Sequence, residues 1–336
     1  MNIQENASLI PFNTFGIHAK AKYLIEYTSA EELIKLLNGE LIKSNSFLQV
    51  GKGSNLLFTS DYDGIILHSL INFITVISET ETEILVEAGA GVKWDDLVKF
   101  CVENGWGGIE NLTDIPGETG AAAVQNIGAY GVEIKDVIKQ VNTIDTFDKS
   151  IRKFLVSECE YGYRTSIFKH KFARRFIVTS VVLSLSKKTE FKLEYQHLEE
   201  EVKKSGEVNL KSIRNTISKI RSSKLPDPAI LGNAGSFFMN PVIDEFKFNE
   251  LLTQFPQMPN YRISTDKVKI PAGWLIEQCG WKGKSLGNAA VHQDHSLVII
   301  NKGNAEASEI VNLGKEIINS VDKKFGITLK PEVIYV

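Results

Sequence analysis

Apolar positions in the first third of the chain recur at two different spacings. In residues 30–37 and 94–103 they lie three and four positions apart, which predicts amphipathic helices. Residues 47–50, 64–68 and 84–88 are short apolar or alternating runs between turn residues, which predicts strands. This part of the chain is therefore expected to combine helices and strands.

The same patterns continue towards the C-terminus. Further strands are expected at residues 141–147, 176–184, 191–195 and 297–300. Further helices are expected at residues 208–223, 274–279 and 305–325. The charged segment 199–206 predicts a boundary, beyond which we expect a separate α/β lobe.

Composition limits the classes of protein that need to be considered. The chain has 336 residues, more than one typical core fills, which predicts two or three domains. Hydrophobic residues make up 43% and charged residues 24%, as in ordinary soluble globular proteins. The net charge of -3 and the lack of a basic stripe argue against a nucleic-acid partner. Without a signal-peptide pattern or a membrane-spanning apolar run, we expect a cytoplasmic protein with no membrane partner.

Neither the cysteines nor the histidines form a metal-binding pattern. Cys101, Cys159 and Cys279 are far apart and include no C-x-x-C pair, which argues against a zinc site and a disulfide framework. His292 and His295 lie close in sequence, but their spacing is too loose for a ligand set. We therefore expect no metal.

Two glycine-rich segments carry the first candidate chemistry. Gly51 and Gly53 follow a predicted strand, and such a turn can point consecutive backbone amides at one phosphate. Leu56 stands where the last glycine of a Rossmann fingerprint belongs. The second segment, residues 108–131, is dense in glycine and alanine. Each segment alone also fits a plain turn packed in the core, but two in one chain favour a dinucleotide, and the missing fingerprint points to a flavin on another fold.

Three polar residues could act on a substrate. Arg164 follows Tyr163, and an arginine beside aromatic residues can hold a carboxylate through two hydrogen bonds. A strand-end arginine in a surface ion pair fits the same sequence equally well. Ser236 follows a glycine turn, but Phe238 excludes a G-x-S-x-G nucleophile elbow, which leaves a proton donor or an ordinary turn serine. Glu332 follows a proline near the end of the chain, where carboxylates are usually surface groups.

Taken in order along almost the whole chain, a set of short stretches resembles the UDP-N-acetylenolpyruvoylglucosamine reductase family. The stretches are residues 13–16 (NTFG), 51–55 (GKGSN), 115–117 (IPG), 125–131 (QNIGAYG), 163–164 (YR), 224–228 (KLPDP), 232–238 (GNAGSFF), 272–276 (AGWLI) and 331–333 (PEV). Their occurrence together and in order is far more specific than any one motif. The segment 190–198, with Tyr195, resembles the tyrosine-bearing loop of the family's first type.

The resemblance implies a fold and an activity. The fold class is α+β, with a two-domain FAD-binding unit of the vanillyl-alcohol-oxidase type and a separate α/β substrate-binding domain. We expect domains at residues 1–69, 70–206 and 207–336, with the C-terminal segment returning to the active site. The implied activity is the NADPH-dependent reduction of UDP-N-acetylglucosamine enolpyruvate to UDP-N-acetylmuramate through FAD, in peptidoglycan precursor synthesis. NADPH would be a co-substrate that reduces FAD and leaves before the sugar nucleotide enters, and we expect a monomer.

The resemblance also assigns roles by position. Ser236 matches the family's proton donor, and Arg164 and Glu332 match the pair that polarises the enolpyruvyl carboxylate. The expected FAD contacts are Gly51, Lys52, Gly53, Ser54, Asn55, Leu56, Ile115, Pro116, Gly117, Gly120, Ala121, Gln125, Asn126, Gly128, Ala129, Tyr130 and Arg221. The expected substrate contacts are Tyr163, Tyr195, Lys224, Asn240, Tyr261 and Lys282. Residues 51–57 hold no histidine or cysteine, so we expect the flavin to be bound non-covalently.

The chain departs from the family pattern at a few positions. Ile334 stands where some relatives carry arginine, and Ala121 and Ala122 stand where some carry serine. Two other functions stay open on the sequence: a flavin-dependent alcohol oxidase or dehydrogenase of the same fold, and a non-catalytic protein that binds flavin or sugar nucleotides.

Overall fold

The computed structural model describes residues 1–195 and 197–336. Its strands are β1 (Asn2–Ser8), β2 (Lys20–Tyr27), β3 (Phe47–Val50), β4 (Leu56–Leu57), β5 (Tyr62–Ser69), β6 (Ile74–Glu79), β7 (Glu83–Gly89), β8 (Gly128–Ala129), β9 (Val132–Glu133), β10 (Ile138–Asp145), β11 (Ile151–Leu155), β12 (Phe176–Ser186), β13 (Gly232–Ser236), β14 (Val242–Asp244), β15 (Tyr261–Arg262), β16 (Lys267–Lys269), β17 (Ser285–Leu286), β18 (Ala289–Val291), β19 (Val298–Asn301) and β20 (Ile334–Tyr335). Its α-helices are α1 (Ala30–Asn38), α2 (Glu40–Lys43), α3 (Trp94–Glu103), α4 (Thr119–Gln125), α5 (Leu198–Lys204), α6 (Leu210–Lys224), α7 (Glu245–Gln254), α8 (Ala272–Gln278) and α9 (Ala307–Phe325). Short 3-10 helices lie at Ile10–Phe12, Glu110–Leu112, Ile134–Asp136 and Val156–Glu158.

Contacts within the chain divide it into two compact units. Unit 1 consists of Met1–Ala7, Lys20–Lys52 and Tyr62–Arg221. Unit 2 consists of Ser8–Ala19, Gly53–Asp61 and Ser222–Val336. Two short stretches from the N-terminal part of the sequence thus belong to the same unit as the C-terminal segment. The expected domain boundaries at residues 69 and 206 stay a prediction.

Unit 1 contains two main sheets. The first has the strand order β1-β2-β5-β3, and β5 runs parallel to both β2 and β3. Helix α1 packs Leu33, Leu36 and Leu37 against this sheet, and its N-terminal end is capped by the Ser29 side chain. The second sheet has the order β11-β10-β12-β7-β6 and is antiparallel. The fully buried Trp94 of α3 belongs to the core beneath it.

One expectation for unit 1 is wrong. Residues 191–195 form no strand; Leu193 instead packs with residues of α5 and α6, and the Lys192 carbonyl accepts a hydrogen bond of 2.7 Å from Asn111. The charged segment 199–206, where the sequence predicts a boundary, largely forms helix α5, whose buried Leu198 and Val202 give it a short amphipathic face. The boundary itself stays a prediction.

Unit 2 has a core of its own around helix α9. Ile310, Leu313 and Ile317 of α9 are fully buried in a cluster with Phe237 and Phe238. One sheet has the order β13-β19-β18-β17, and a second has the order β14-β16-β15. Strand β20, at the end of the chain, pairs in parallel with β4.

The described residues contain no helix that is long and apolar enough to cross a membrane. Within the same ranges, no three His, Cys, Asp or Glu side chains come together as a metal site would require.

Candidate active site

The first glycine loop joins β3 to β4, and its residues are divided between the units. Gly53, in unit 2, has a φ of +65°, and a Cβ there would lie 1.7 Å from the Phe12 carbonyl oxygen. Side-chain hydrogen bonds of the buried Asn13 to Leu9 and Ile17 hold the backbone that Gly53 approaches. Glycine is therefore required at position 53 by the protein's own backbone, whatever a ligand requires.

In unit 1, the start of this loop meets the start of α4. A Cβ on Gly51 would lie 3.1 Å from Glu118 Oε2 and 3.3 Å from the Ala121 Cβ. The Lys52 ammonium lies 3.7 Å from Glu118 Oε1. Two of the expected FAD-binding segments are thus neighbours around Gly51.

The residues that precede and begin α4 are hydrogen-bonded to the turn that follows β7. The amides of Thr119 and Gly120 donate to the carbonyls of Val92 and Ala90 at 2.9 and 3.0 Å. A Cβ on Gly120 would lie 2.8 Å from the Ala90 Cβ, so close packing explains this glycine. The Gly120 amide already donates to a protein carbonyl. A phosphate at the expected FAD-binding segment 115–121 would therefore be bound by its other residues, among them Ile115, Gly117 and Ala121.

The second glycine loop carries Arg164 beside it, also in unit 1. The Arg164 guanidinium donates to the carbonyls of Gly128 and Asn126, the latter at 3.4 Å, and lies 5.2 Å from the Tyr163 ring centroid. The buried Asn126 side chain donates to the Gly162 carbonyl at 2.7 Å and to Glu133 at 3.1 Å. Asn126 therefore ties the loop to the Arg164 turn, and its side chain is engaged within the protein.

Tyr130 and Tyr195 bring the tyrosine-bearing segment to the same glycine loop. Their rings meet edge to face with centroids 5.8 Å apart. Asn111 donates to the Tyr130 carbonyl at 2.9 Å and so holds the backbone of this loop. Burial raises the pKa of the Tyr130 hydroxyl, and the nearby Arg221 charge opposes that rise. Arg221, Tyr130 and Tyr195 thus gather at one place in unit 1.

Ser236 and Glu332 come together in unit 2. Ser236 ends β13, opposite Val298 of β19, after Gly235 with a φ of +66°. The amide of Glu332 donates to the carbonyl of Phe237, the residue after Ser236, at 2.9 Å. Asn55 of the first glycine loop donates to the Glu332 carbonyl at 3.1 Å. Asn55 and Glu332 are therefore hydrogen-bonded to each other, and Ser236 lies next to the residue that Glu332 contacts.

The remaining expected substrate contacts of unit 2 are more dispersed. Asn240 Oδ1 accepts the Ala272 amide at the start of α8 at 2.8 Å. Lys282 pairs with Glu277 at 3.1 Å, and the Tyr261 ring lies 5.8 Å from the Lys269 ammonium. Lys224, at the end of α6, is exposed.

Comparison with known proteins identifies the family. Residues 227–336 match the C-terminal domain of UDP-N-acetylenolpyruvoylglucosamine reductase, and residues 21–151 match an FAD binding domain. The UDP-N-acetylenolpyruvoylglucosamine reductase of Bacteroides fragilis (strain YCH46) is 48% identical over 334 residues, which cover 99% of this chain and 100% of the relative. The corresponding protein of Porphyromonas gingivalis (strain W83) is 44% identical over 337 residues and 100% of both chains.

The chain belongs to the UDP-N-acetylenolpyruvoylglucosamine reductase family. It is an FAD-dependent oxidoreductase, as the sequence predicted.

Solved structures agree on the fold. UDP-N-acetylenolpyruvylglucosamine reductase from Thermus caldophilus aligns with a TM-score of 0.70 at 22% identity, over 100% of this chain and 99% of its own. Substrate-bound p-cresol methylhydroxylase aligns with a TM-score of 0.52 at 12% identity, over 97% of this chain and 85% of its own. At these identities the likeness concerns the fold alone. The expected α+β fold, with an FAD-binding part and a C-terminal substrate domain, is confirmed.

The residues of unit 1 fit a bound FAD. Among the described residues, Arg221 Nε and Asn111 Oδ1 are buried without a hydrogen-bond partner. Burial lowers the pKa of the Arg221 guanidinium, since a cation removed from water is less stable without an anion beside it. Both atoms belong to residues beside the second glycine loop, and buried polar atoms of this kind normally bind a ligand or water. A diphosphate would accept a hydrogen bond from Arg221 Nε, and a hydroxyl of the same cofactor would donate one to Asn111 Oδ1.

Several residues that shape the site carried no sequence signal. His68 and Glu118 form a buried hydrogen bond of 3.0 Å although they are 50 positions apart. Arg214 holds Asp95 through two hydrogen bonds of 2.7 and 2.6 Å, 119 positions apart. The local sequence spacing links neither pair. The one sequence feature that marks His68 is its place as an ionisable residue at the end of an apolar strand.

Proposed function

We propose that this chain reduces UDP-N-acetylglucosamine enolpyruvate to UDP-N-acetylmuramate with NADPH and a non-covalently bound FAD. The proposal rests on two hydrogen bonds: Asn55 donates to the Glu332 carbonyl, and the Glu332 amide donates to the carbonyl of Phe237, the residue after Ser236. Ser236 and Glu332 thus lie on adjoining segments. Membership of the family supplies the reaction and the co-substrate. The proposed reaction is a step in peptidoglycan precursor synthesis.

The cofactor would be held by the two glycine loops and Arg221. When bound, FAD accepts two electrons from NADPH and passes them to the enolpyruvyl double bond. The loop at residues 51–56 and the segment before α4 would bind the diphosphate through backbone amides. The Arg221 guanidinium, whose Nε is buried without a hydrogen-bond partner among the described residues, would add a cation to the site.

Reduction of the enolpyruvyl double bond requires a proton at the carbon beside the carboxylate. We assign that proton to the Ser236 hydroxyl, which acts as a general acid. Arg164 would stabilise the negative charge that develops on the substrate carboxylate, and its two hydrogen bonds to loop carbonyls hold the guanidinium in place beforehand. Glu332, anchored by its amide and carbonyl, would orient the same carboxylate by donating a hydrogen bond to it as the protonated acid.

The sugar nucleotide would be bound by cations and aromatic rings. Lys224 and Lys282 suit its diphosphate, and the rings of Tyr163, Tyr195 and Tyr261 suit its uracil and sugar faces. Asn240 would add a hydrogen bond, although its Oδ1 already caps α8. We further propose that the chain acts as a cytoplasmic monomer.

Anaerobic spectroscopy of the flavin tests this function. Protein supplied with FAD should be yellow, should bleach on addition of NADPH, and should regain its colour on addition of the enolpyruvyl substrate. UDP-N-acetylglucosamine, which lacks the enolpyruvyl group, is the control and should not restore the colour. If the yellow colour is restored instead by a simple carbonyl compound derived from an alcohol, an oxidase or dehydrogenase is favoured. A flavin that NADPH cannot bleach would favour a binding protein.

A further inference from the structure

His68 lies between two carboxylates in the interior of unit 1. It stands near the end of β5, and its side chain is only 2% exposed. Its Nδ1 is 3.0 Å from Glu26 Oε1 on β2, and its Nε2 is 3.0 Å from Glu118 Oε1. When both carboxyl groups are ionised, their oxygens only accept hydrogen bonds, so both ring nitrogens donate. That requires the imidazolium form.

The electrostatics of the cluster agree with this geometry. Burial alone would lower the pKa of His68, but the hydrogen bonds and charges of Glu118 and Glu26 outweigh it and raise the pKa above its ordinary value. Burial would likewise raise the pKa of Glu26, but its hydrogen bonds to His68 and Asn2 and the nearby positive charges hold that pKa below its ordinary value. The Lys52 ammonium works against the positive charge on His68.

Glu118 brings this cluster to the first glycine loop. Its side chain is 4% exposed, its Oε1 lies 3.7 Å from the Lys52 ammonium, and its Oε2 would meet a Cβ on Gly51 at 3.1 Å. An uncompensated carboxylate at this place would repel a diphosphate held by the same loop. With His68 protonated, the two carboxylates Glu26 and Glu118 are balanced by the two cations His68 and Lys52. With a neutral residue in place of His68, the cluster keeps one excess negative charge.

We propose that His68 is a positioning residue for FAD. His68 neutralises the buried Glu118, so that the adjoining loop accepts the diphosphate. Glu118 is in turn held in one orientation by His68, at the residue that leads into α4. The inference rests on the proposed function only in that FAD binds to this loop. It concerns affinity for the cofactor and requires no turnover.

The test is FAD affinity, measured by titrating the apoprotein and following flavin fluorescence. The variants are His68→Gln, Glu118→Gln and the two together, with His197→Gln as the matched control, since His197 is 82% exposed. His68→Gln should weaken FAD binding roughly tenfold or more, because a buried unit charge is left uncompensated. In the double variant the excess charge is gone, and affinity should return to within about threefold of Glu118→Gln alone. His197→Gln should bind like the wild type.

Riboflavin separates the charge effect from damage to the fold. It carries no phosphate, so His68→Gln should bind it as well as the wild type does, whereas a distorted site would lose both ligands. The inference is overturned if His68→Gln binds FAD normally, if it loses riboflavin in the same proportion, or if the double variant binds FAD no better than His68→Gln. If the wild-type protein binds no FAD, the proposed function fails together with the inference about His68. If the wild type binds FAD and only the variants behave otherwise than expected, the inference alone fails.

Discussion

The side-chain amide of Asn55 donates a hydrogen bond of 3.1 Å to the backbone carbonyl of Glu332, 277 positions away in the sequence. The Ile334 amide extends the connection by donating to the Asn55 carbonyl at 3.0 Å. Next to these hydrogen bonds, Ile334 pairs with Leu56 where β20 runs parallel to β4. Within unit 2, the part of the first glycine loop that carries Asn55 is thus fixed to the backbone of the C-terminal segment that carries Glu332.

Replacing Asn55 should therefore disturb the position of Glu332. In Asn55→Ala the carbonyl of Glu332 loses a donor, and in Asn55→Asp it also faces a carboxylate. We expect reoxidation of the reduced flavin by the substrate to slow roughly tenfold in the alanine variant, and more in the aspartate variant. Stopped-flow absorbance with saturating FAD measures this rate. Equal rates in Asn55→Asp and the wild type would show that the hydrogen bond does not position the carboxylate.

The Arg214–Asp95 pair predicts a pH dependence of stability. Burial would raise the pKa of Asp95, but its hydrogen bonds to Arg214 and to the Asp114 amide outweigh burial and lower it. A lowered carboxyl pKa contributes stability that is complete above the unfolded value of about 3.9 and is lost as the pH falls through the folded value. Asp95 is 34% exposed, so we expect Arg214→Gln to cost only about 1–2 kcal/mol at neutral pH.

Urea unfolding of the apoprotein at several pH values measures this contribution. The free energy of unfolding of Arg214→Gln should fall less steeply than that of the wild type between about pH 5 and pH 3. Lys247→Gln is the control, because Lys247 belongs to an exposed pair with Glu250. Parallel curves for Arg214→Gln and the wild type would mean that Arg214 does not hold the Asp95 carboxylate in its ionised form.

The flavin should be removable without breaking a bond. Residues 51–57 hold neither histidine nor cysteine, so no side chain of that loop is available for attachment. Precipitation of the holoprotein with acid should leave FAD in the supernatant in a ratio of about one per chain, measured by absorbance. Yellow colour retained by the washed precipitate would contradict non-covalent binding.

Lys282 should affect binding of the sugar nucleotide more than its chemistry. The ammonium now pairs with Glu277 at 3.1 Å and is partly exposed, so it is accessible to a diphosphate. Lys282→Ala should raise the KM for the sugar nucleotide by about tenfold with a smaller change in kcat, as expected for a lost charge-assisted hydrogen bond. Lys323→Ala, at the end of α9, is the control. An unchanged KM would remove Lys282 from the substrate contacts.

Elements with strong local signals were predictable from the sequence. Helix α3 was expected at residues 94–103 and lies at Trp94–Glu103, because its apolar spacing is regular and Gly105, with a φ of +77°, follows its end. The helix expected from residue 208 begins at Leu210 instead, since the Asn209 side chain accepts the Ser212 amide at 2.9 Å and fixes the start. Such caps shift a boundary by a residue or two.

What the sequence could not show depends on distant contacts. The strand expected at residues 191–195 is irregular, because tertiary hydrogen bonds such as that from Asn111 outweigh its apolar composition. Glycine at position 53 was predicted for a phosphate turn, yet the carbonyl of Phe12 alone forbids a side chain there. The cluster of His68, Glu26 and Glu118 joins residues 42 and 50 positions apart, and only the fold brings them together.

The two half-reactions of the Ser236→Ala variant test the central claim most directly. Bleaching of the flavin by NADPH needs no proton delivered to a carbon, whereas reduction of the enolpyruvyl group does. In anaerobic stopped-flow measurements, Ser236→Ala should keep nearly the wild-type rate of bleaching and lose about 10²–10⁴-fold in reoxidation by the substrate. Ser236→Cys should recover part of that loss, because a thiol can also donate a proton. Equal slowing of both half-reactions, or no slowing of either, would contradict the assignment of Ser236 as the proton donor.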